Sequence, residues 1–345
     1  MKSDNAPRRK RRFLTALAVT AAAALATGAY FFTNGHHGIR PAGPPEKVTI
    51  AYAAVTDAAL AIVAQIQGYS RDEGLEVTAR LHPYGKLALQ DVLDGKADFA
   101  TAAETPVMFA ILKGEKVSII ATIETANQVN AIVARKDRGI HTPGDLRGRR
   151  IAVTLGTTMD YYLNASLAMQ GISRKDVTLV DMNAEKMPEA LALGDVEAIS
   201  TSHPYNVFAQ KELGDRGITF QDKDIYTATF NVLAKQEFIQ KNPGKAVKMV
   251  RALLKAEEFV KRYPAEAQKI VADFSGMDIA VVREVWASQN FGVTLAQSLL
   301  LAMEDESRWA INNRLTGARA VPNYLDFIYV DGLKSVKPEA VTILR

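Results

Sequence analysis

The stretch 97–108 reads ADFATAAETPVM. Its first five residues predict a short buried strand, the small residues after them a tight turn, and the remainder a helix. Thr105 is suited to cap that helix and Pro106 to open it, because proline's missing N–H is no loss at a first helical position. Small residues between strand and helix let a ligand approach the backbone. In an open α/β sheet, ligands bind beyond the carboxyl ends of the strands. Glu104 and Thr105 are therefore candidate ligand contacts.

Outward from this stretch, strand and helix alternate at the spacing of a parallel sheet. Strands are expected at 47–54, 75–81, 97–101 and 117–123, with helices at 58–67 and 86–93 between them. The pattern restarts with strands at 130–134, 150–154, 177–181, 198–201 and 227–234 and helices at 158–170, 186–193 and 204–213. Residues 242–313 read as helical, with breaks at Tyr263-Pro264, Gly276 and Gly292, and 324–345 as a peripheral wrap. Two similar α/β halves followed by a helical tail is the predicted organisation. Trp286 and Trp309 fall in the tail as core residues.

Composition narrows the function. The chain has 345 residues, enough for two real cores, and no cysteine, which excludes a disulfide framework, a thiolate metal site and a catalytic thiol. The formal charge of +4 is local: residues 1–12 hold six basic side chains against Asp4, so the remainder is slightly acidic, and nucleic-acid binding gains no support. A basic start followed by an apolar run through Phe32 is an export pattern. Two readings stay open: cleavage after Ala26, or retention of residues 13–32 as an inner-membrane anchor, which is long enough to span. The body is periplasmic or otherwise extracytoplasmic on both. Residues 33–46, TNGHHGIRPAGPPE, read as a linker, and His36-His37 in it as a solvated pair.

Gly68-Tyr69 with Gly74-Leu75-Glu76-Val77, Asp98-Phe99-Ala100, Glu104-Thr105-Pro106, and Asp145-Leu146 with Gly148 and Ile151-Ala152-Val153 occur in an order and spacing with a known counterpart. Over about 47–260 the chain resembles the periplasmic substrate-binding proteins of nitrate/sulfonate/taurine-type ABC transporters, the SsuA/THI5-like family. The resemblance implies a two-lobed, type II periplasmic-binding-protein fold, each lobe a mainly parallel sheet flanked by helices. It implies two crossover strands, near 127–131 and 229–233, with lobe I formed by 47–127 and 232–345 and lobe II by 128–231. It further implies capture of a small solute between the lobes and delivery to a permease with its ATPase, by a monomer that needs no cofactor or metal and performs no catalysis.

The candidate ligand contacts follow from both lines of reasoning. Thr56 and Asp57 occupy the turn after the first strand, equivalent to Glu104 and Thr105. Gly156, Thr157 and Thr158 open a helix, where free N–H groups and hydroxyls serve either as an ordinary cap or as donors to a ligand; the resemblance favours the ligand. Tyr161 lies one turn on. His203 follows the strand at 198–201, with Tyr205 beside it, and Asn231 lies on the second crossover. Asp160 and Glu124 are further acids near these turns. No lysine or arginine falls in them. An anion beside such carboxylates is repelled by roughly 1–4 kcal/mol per charge pair at contact. A neutral, cationic or zwitterionic ligand, sulfonate/taurine-like or N-heterocyclic, is therefore expected. A membrane-tethered sensor is the alternative; a thiamine-pyrimidine-synthase-like enzyme is disfavoured by the missing cysteines and the leader.

Overall fold

The structure, a computed structural model, describes residues 43–344. The expected leader and residues 33–42 of the expected linker lie outside the described residues. Among the described residues no helix is long and apolar enough to cross a membrane.

The strands are β1 (Glu46–Ala53), β2 (Leu75–His82), β3 (Phe99–Ala103), β4 (Val117–Ala126), β5 (Asn130–Arg135), β6 (Arg150–Val153), β7 (Thr178–Asp181), β8 (Ala198–Ser202), β9 (Gly217–Phe220), β10 (Ala228–Lys235) and β11 (Asn290–Thr294). One sheet has the order β11-β4-β10-β3-β1-β2 and the other β7-β6-β8-β5-β9. β1 runs parallel to β2 and β3, and β6 parallel to β7 and β8. β10 is inserted antiparallel between β3 and β4, and β5 antiparallel between β8 and β9.

The sheets are thus mixed rather than mainly parallel, for a topological reason. The chain crosses between them twice, at 127–129 and 221–227, and β5 and β10 are the first strands after each crossing. Each enters its new sheet against the direction of both neighbours. β10 is hydrogen-bonded to β4 from Ala228 onward. Residues 228–231, expected in the second lobe, therefore belong to the first sheet.

Burial follows the residue pattern. β4, VSIIATIETA, is buried at all positions but Thr125, as a strand covered on both faces must be. The helix Pro243–Arg262 presents Ala246, Met249, Val250, Leu253, Ala256 and Val260 at helical spacing and packs them on the helix Ala59–Ile66. The first sheet and this tail share one large core, which includes Trp309 and Tyr324. The second sheet has a smaller core on each face.

Three local expectations are corrected. The helix after β3 is Glu104–Leu112, capped by Ala103 without a side-chain bond; Thr105 lies inside it because its hydroxyl is taken by Glu306 and Thr158. Residues 290–294 form a strand, not a helix broken at Gly292, because β4 offers an edge on which Asn290 and Phe291 pair with Thr125 and Glu124. The C-terminal segment is more than a wrap. Tyr324 and Leu333 are buried in the first core, and Tyr329 N–H donates to Ile119 O at 2.9 Å.

Candidate functional site

The carboxyl ends of the parallel strands in both sheets face one cavity of about 70 Å³. Val55 and Asp57 reach it from β1, Pro83–Lys86 from β2, Ala103 and Pro106 from β3, Thr157–Met159 from β6, Ala184 from β7, and His203 and Tyr205 from β8. Glu124, Val129, Asn130 and Ala228–Phe230 line it from the crossings. A larger hollow of about 660 Å³ beside Tyr162 and Gln221 is walled by residues 128–225, so only one side of the molecule contributes to it. The smaller cavity is the one that both sheets build, at the place where this architecture binds ligands.

Gly85 shows how tightly one wall is set. A Cβ there would lie 2.7 Å from Ala102 Cα. Only glycine lets the helix Gly85–Leu93 start against β3, which brings Tyr84 and Lys86 to the cavity on either side of it.

The lobes are drawn together around the site. Tyr84 OH donates to Asn183 Oδ1 at 3.0 Å, and Lys86 Nζ to Leu155 O at 2.6 Å. Thr105 Oγ1 lies 3.2 Å from Thr158 Oγ1. The Tyr161 ring packs edge-on against Trp309 at 5.3 Å.

Of the expected contacts, Asp57, Thr157, Thr158 and His203 come together at this cavity. His203 Nδ1–H donates to Asn206 Oδ1 at 2.7 Å, and burial lowers its pKa, favouring the neutral ring. Thr157 commits its hydroxyl to Thr154 O at 2.6 Å. Burial raises Asp57 to about 7, opposed by a hydrogen bond from Gln289 Nε2 to its Oδ1.

Thr56, Glu104, Thr105, Gly156, Tyr161 and Asn231 do not line it, and each has a physical reason. Thr56 is buried, 2 % exposed. Glu104 is wholly buried, and its Oε2 accepts from both Thr229 N–H and Thr229 Oγ1, each at 2.7 Å. Thr105 Oγ1 donates to Glu306 Oε1 at 2.6 Å. Gly156 N–H is spent on Asp160 Oδ2 at 3.0 Å, and its turn faces a separate groove of about 360 Å³. Tyr161 is held between Trp309 and Tyr226, whose ring lies 5.1 Å away. Asn231, also wholly buried, accepts from Thr122 Oγ1 at 2.7 Å and donates to Thr229 Oγ1 at 3.0 Å.

Two ionisable side chains line the cavity beyond the contacts expected from sequence. Lys86 is the only lysine or arginine among the described lining residues, and it comes from the turn after β2, which is not among the turns expected to meet the ligand. Burial lowers its pKa, against the pull of Asp181. A strand ended by a Pro-Tyr-Gly turn was the available signal. Glu124 had been noted only as a nearby acid. It is 2 % exposed, and its Oε1 has no hydrogen-bond partner. Burial first, then the charges of Asp57 and Glu104, push its pKa well above the ordinary carboxylate range.

Behind the site, Glu104 and Glu306 form a buried acid pair. Desolvation raises both, and the Glu104 charge raises Glu306 further. Burial and the Glu104 charge thus favour the protonated form of Glu306, whose Oε1 accepts from Thr105 Oγ1 and Tyr226 OH and whose Oε2 has no hydrogen-bond partner. Among the described residues no group of acids and histidines has metal-site geometry.

A family model described as NMT1/THI5 like matches residues 55–267. The chain belongs to this family. A relative named as a putative aliphatic sulfonates-binding protein, from Bacillus subtilis, is 24 % identical over 229 residues, 65 % of this chain and 69 % of its own. The taurine-binding periplasmic protein of Escherichia coli is 27 % identical over 151 residues, 44 % of this chain and 46 % of its own. The alkanesulfonate-binding protein SsuA of Xanthomonas axonopodis pv. citri, solved with MOPS bound, superposes with a TM-score of 0.72 at 20 % identity, covering 84 % of this chain and 100 % of that one. The NMT1/THI5-like chain thus has the periplasmic-binding-protein fold, and these relatives are binding proteins.

Proposed function

We propose that this protein is the extracytoplasmic solute-binding component of an ABC importer, a monomer that closes two lobes on a small polar ligand and presents it to the permease. The observation that carries this reading is the convergence of strand ends from both sheets on one cavity, with lobe-to-lobe bonds closing around it. Family membership supports the transport role. The ligand is neutral, cationic or zwitterionic in this reading, because Asp57 and Glu124 both line the cavity against one basic side chain among the described lining residues, Lys86.

The ligand-binding residues in this reading are Asp57, Glu124, Thr157, Thr158 and His203, with Tyr84 and Lys86 closing the lobes. Native mass spectrometry of the exported protein, followed by thermal shift with candidate solutes, tests it. Saturation at a hundred times Kd adds about 2.7 kcal/mol of stability. A protein that carries no solute and is stabilised by none of the amines, zwitterions, heterocycles or sulfonates refutes the reading. Tight, selective binding of nitrate or a simple alkanesulfonate refutes the ligand class alone.

A further inference from the structure

We propose that the ligand of this cavity is a compact organic cation, an ammonium or amidinium group, whose N–H donors are taken by Glu124 and Asp57. The inference rests on the reading of the cavity as the ligand site and narrows its charge. The observation that points to it is the unpartnered Oε1 of Glu124, on a side chain that is 2 % exposed and lines the cavity. Burying a carboxylate oxygen without a donor is costly, and native interiors leave few such groups. A ligand N–H fills the vacancy in its bonding.

Asp57 is the second, from a different element. Gln289 Nε2 takes its Oδ1, which leaves Oδ2 for a further donor. A bound cation favours the ionised form of both carboxylates, and ionised carboxylates accept only, so with a cation in place the pair calls for donors and offers none. The charges acting on Glu124 are both carboxylates, Asp57 and Glu104. The Lys86 ammonium donates to Leu155 O, and the acids that act on it are Asp181 and Asp160 rather than Asp57 or Glu124. Asp160, in the first turn of the helix that begins at Thr158, places a further carboxylate at that helix start and takes Gly156 N–H. Pro106, Met159 and Phe230 supply apolar walls, and Phe230 an aromatic face of the kind that attracts cations. A cavity of about 70 Å³ restricts the group to a small one.

Calorimetric titration of the purified full chain tests this, with acetamidinium and methylammonium against nitrate and methanesulfonate. At least one cation is expected to bind, and neither anion to compete with it. Glu124→Gln is expected to weaken the cation at least tenfold while unfolding as cooperatively as the parent. An anion that binds more tightly than both cations, no binding by either cation, or undiminished cation affinity in Glu124→Gln each overturns the inference. The comparison of probes on the unaltered chain decides even if that variant does not fold. Met159→Trp, which fills the cavity, separates the two levels. Binding of an anion that Met159→Trp abolishes leaves the cavity reading standing and the cation inference refuted; any probe whose affinity survives Met159→Trp refutes the cavity reading itself.

Discussion

Replacing Glu104 by alanine should destabilise the fold, and replacing it by glutamine should not. In the structure Glu104 Oε2 is the acceptor for both Thr229 N–H and Thr229 Oγ1, at a site with no exposure. Alanine leaves both donors buried and unpaired, at roughly 1–3 kcal/mol each. Removing a fully desolvated carboxylate offsets part of this. A net loss of about 3 kcal/mol is expected. Glutamine keeps an acceptor oxygen for Thr229, so its cost should stay below about 1 kcal/mol. Urea unfolding followed by tryptophan fluorescence measures both as midpoint shifts at unchanged slope. Equal losses for the two variants, or a loss under about 1 kcal/mol for alanine, would show that the Thr229 bonds are not what Glu104 is for. Glu104→Gln should also change ligand affinity less than Glu124→Gln does. This reverses the expectation from sequence, in which Glu104 is a candidate ligand contact and Glu124 only an acid near the turns.

The share of the unligated protein's stability that depends on Asp57 should be lost between about pH 4 and about pH 7. Asp57 is raised from 3.8 to about 7. The folded state holds its proton more tightly than the unfolded state, so its burden is absent below the unfolded pKa and grows until both states have ionised. Melting temperature across that range should therefore fall, and Asp57→Asn should flatten the decline; a melting temperature that rises with pH contradicts the assignment. Asp160→Ala breaks a pair with Arg174 whose side chains are 2 % and 14 % exposed, and frees Gly156 N–H. It should cost about 3–5 kcal/mol in urea unfolding, and Asp160→Asn, which keeps an acceptor for Gly156, distinctly less. Trp309 packs on Phe109 of its own lobe and on Tyr161 of the other. Its fluorescence should therefore report lobe separation in stopped-flow mixing, and Tyr161→Ala should abolish the change while ligand still binds. An unchanged signal in that variant would place the reporter elsewhere.

Sequence patterning located the strand ends well and the side-chain directions poorly. Asp57 and Glu104 are both acids just after parallel strands of one sheet. Asp57 sits on a single turn of 3-10 helix, Thr56–Ala58, and reaches the cavity. Glu104 opens a regular α-helix and turns back onto β10. The turn geometry that separates them depends on what packs behind it, here Thr229 and Glu306, which are remote in sequence. Asn231 went the same way, because alternation along β10 sets which face it points to but not whether that face is floor or interior. Lys86 escaped notice because it was assigned to a helix rather than to the turn that starts it. β9 and β11, of four and five residues, are too short to show a period and exist because β5 and β4 had free edges.

The turn at 104–106 has a mechanical consequence. Glu104 grips Thr229, just past the second crossing, and Thr105 reaches Tyr226, within it, through Glu306. The next residue, Pro106, is wall of the cavity. If the cavity holds the solute as proposed, one helix end would be both the anvil on which it is pressed and the root of the pivot on which the lobes swing. Load applied at the wall passes into the pivot with no flexible linkage between. Engineering for a larger or smaller cargo at this wall should alter opening speed along with selectivity. Redesign that leaves the timing of release untouched has to be made on the opposite bank, at Met159, Ala184 or Tyr205.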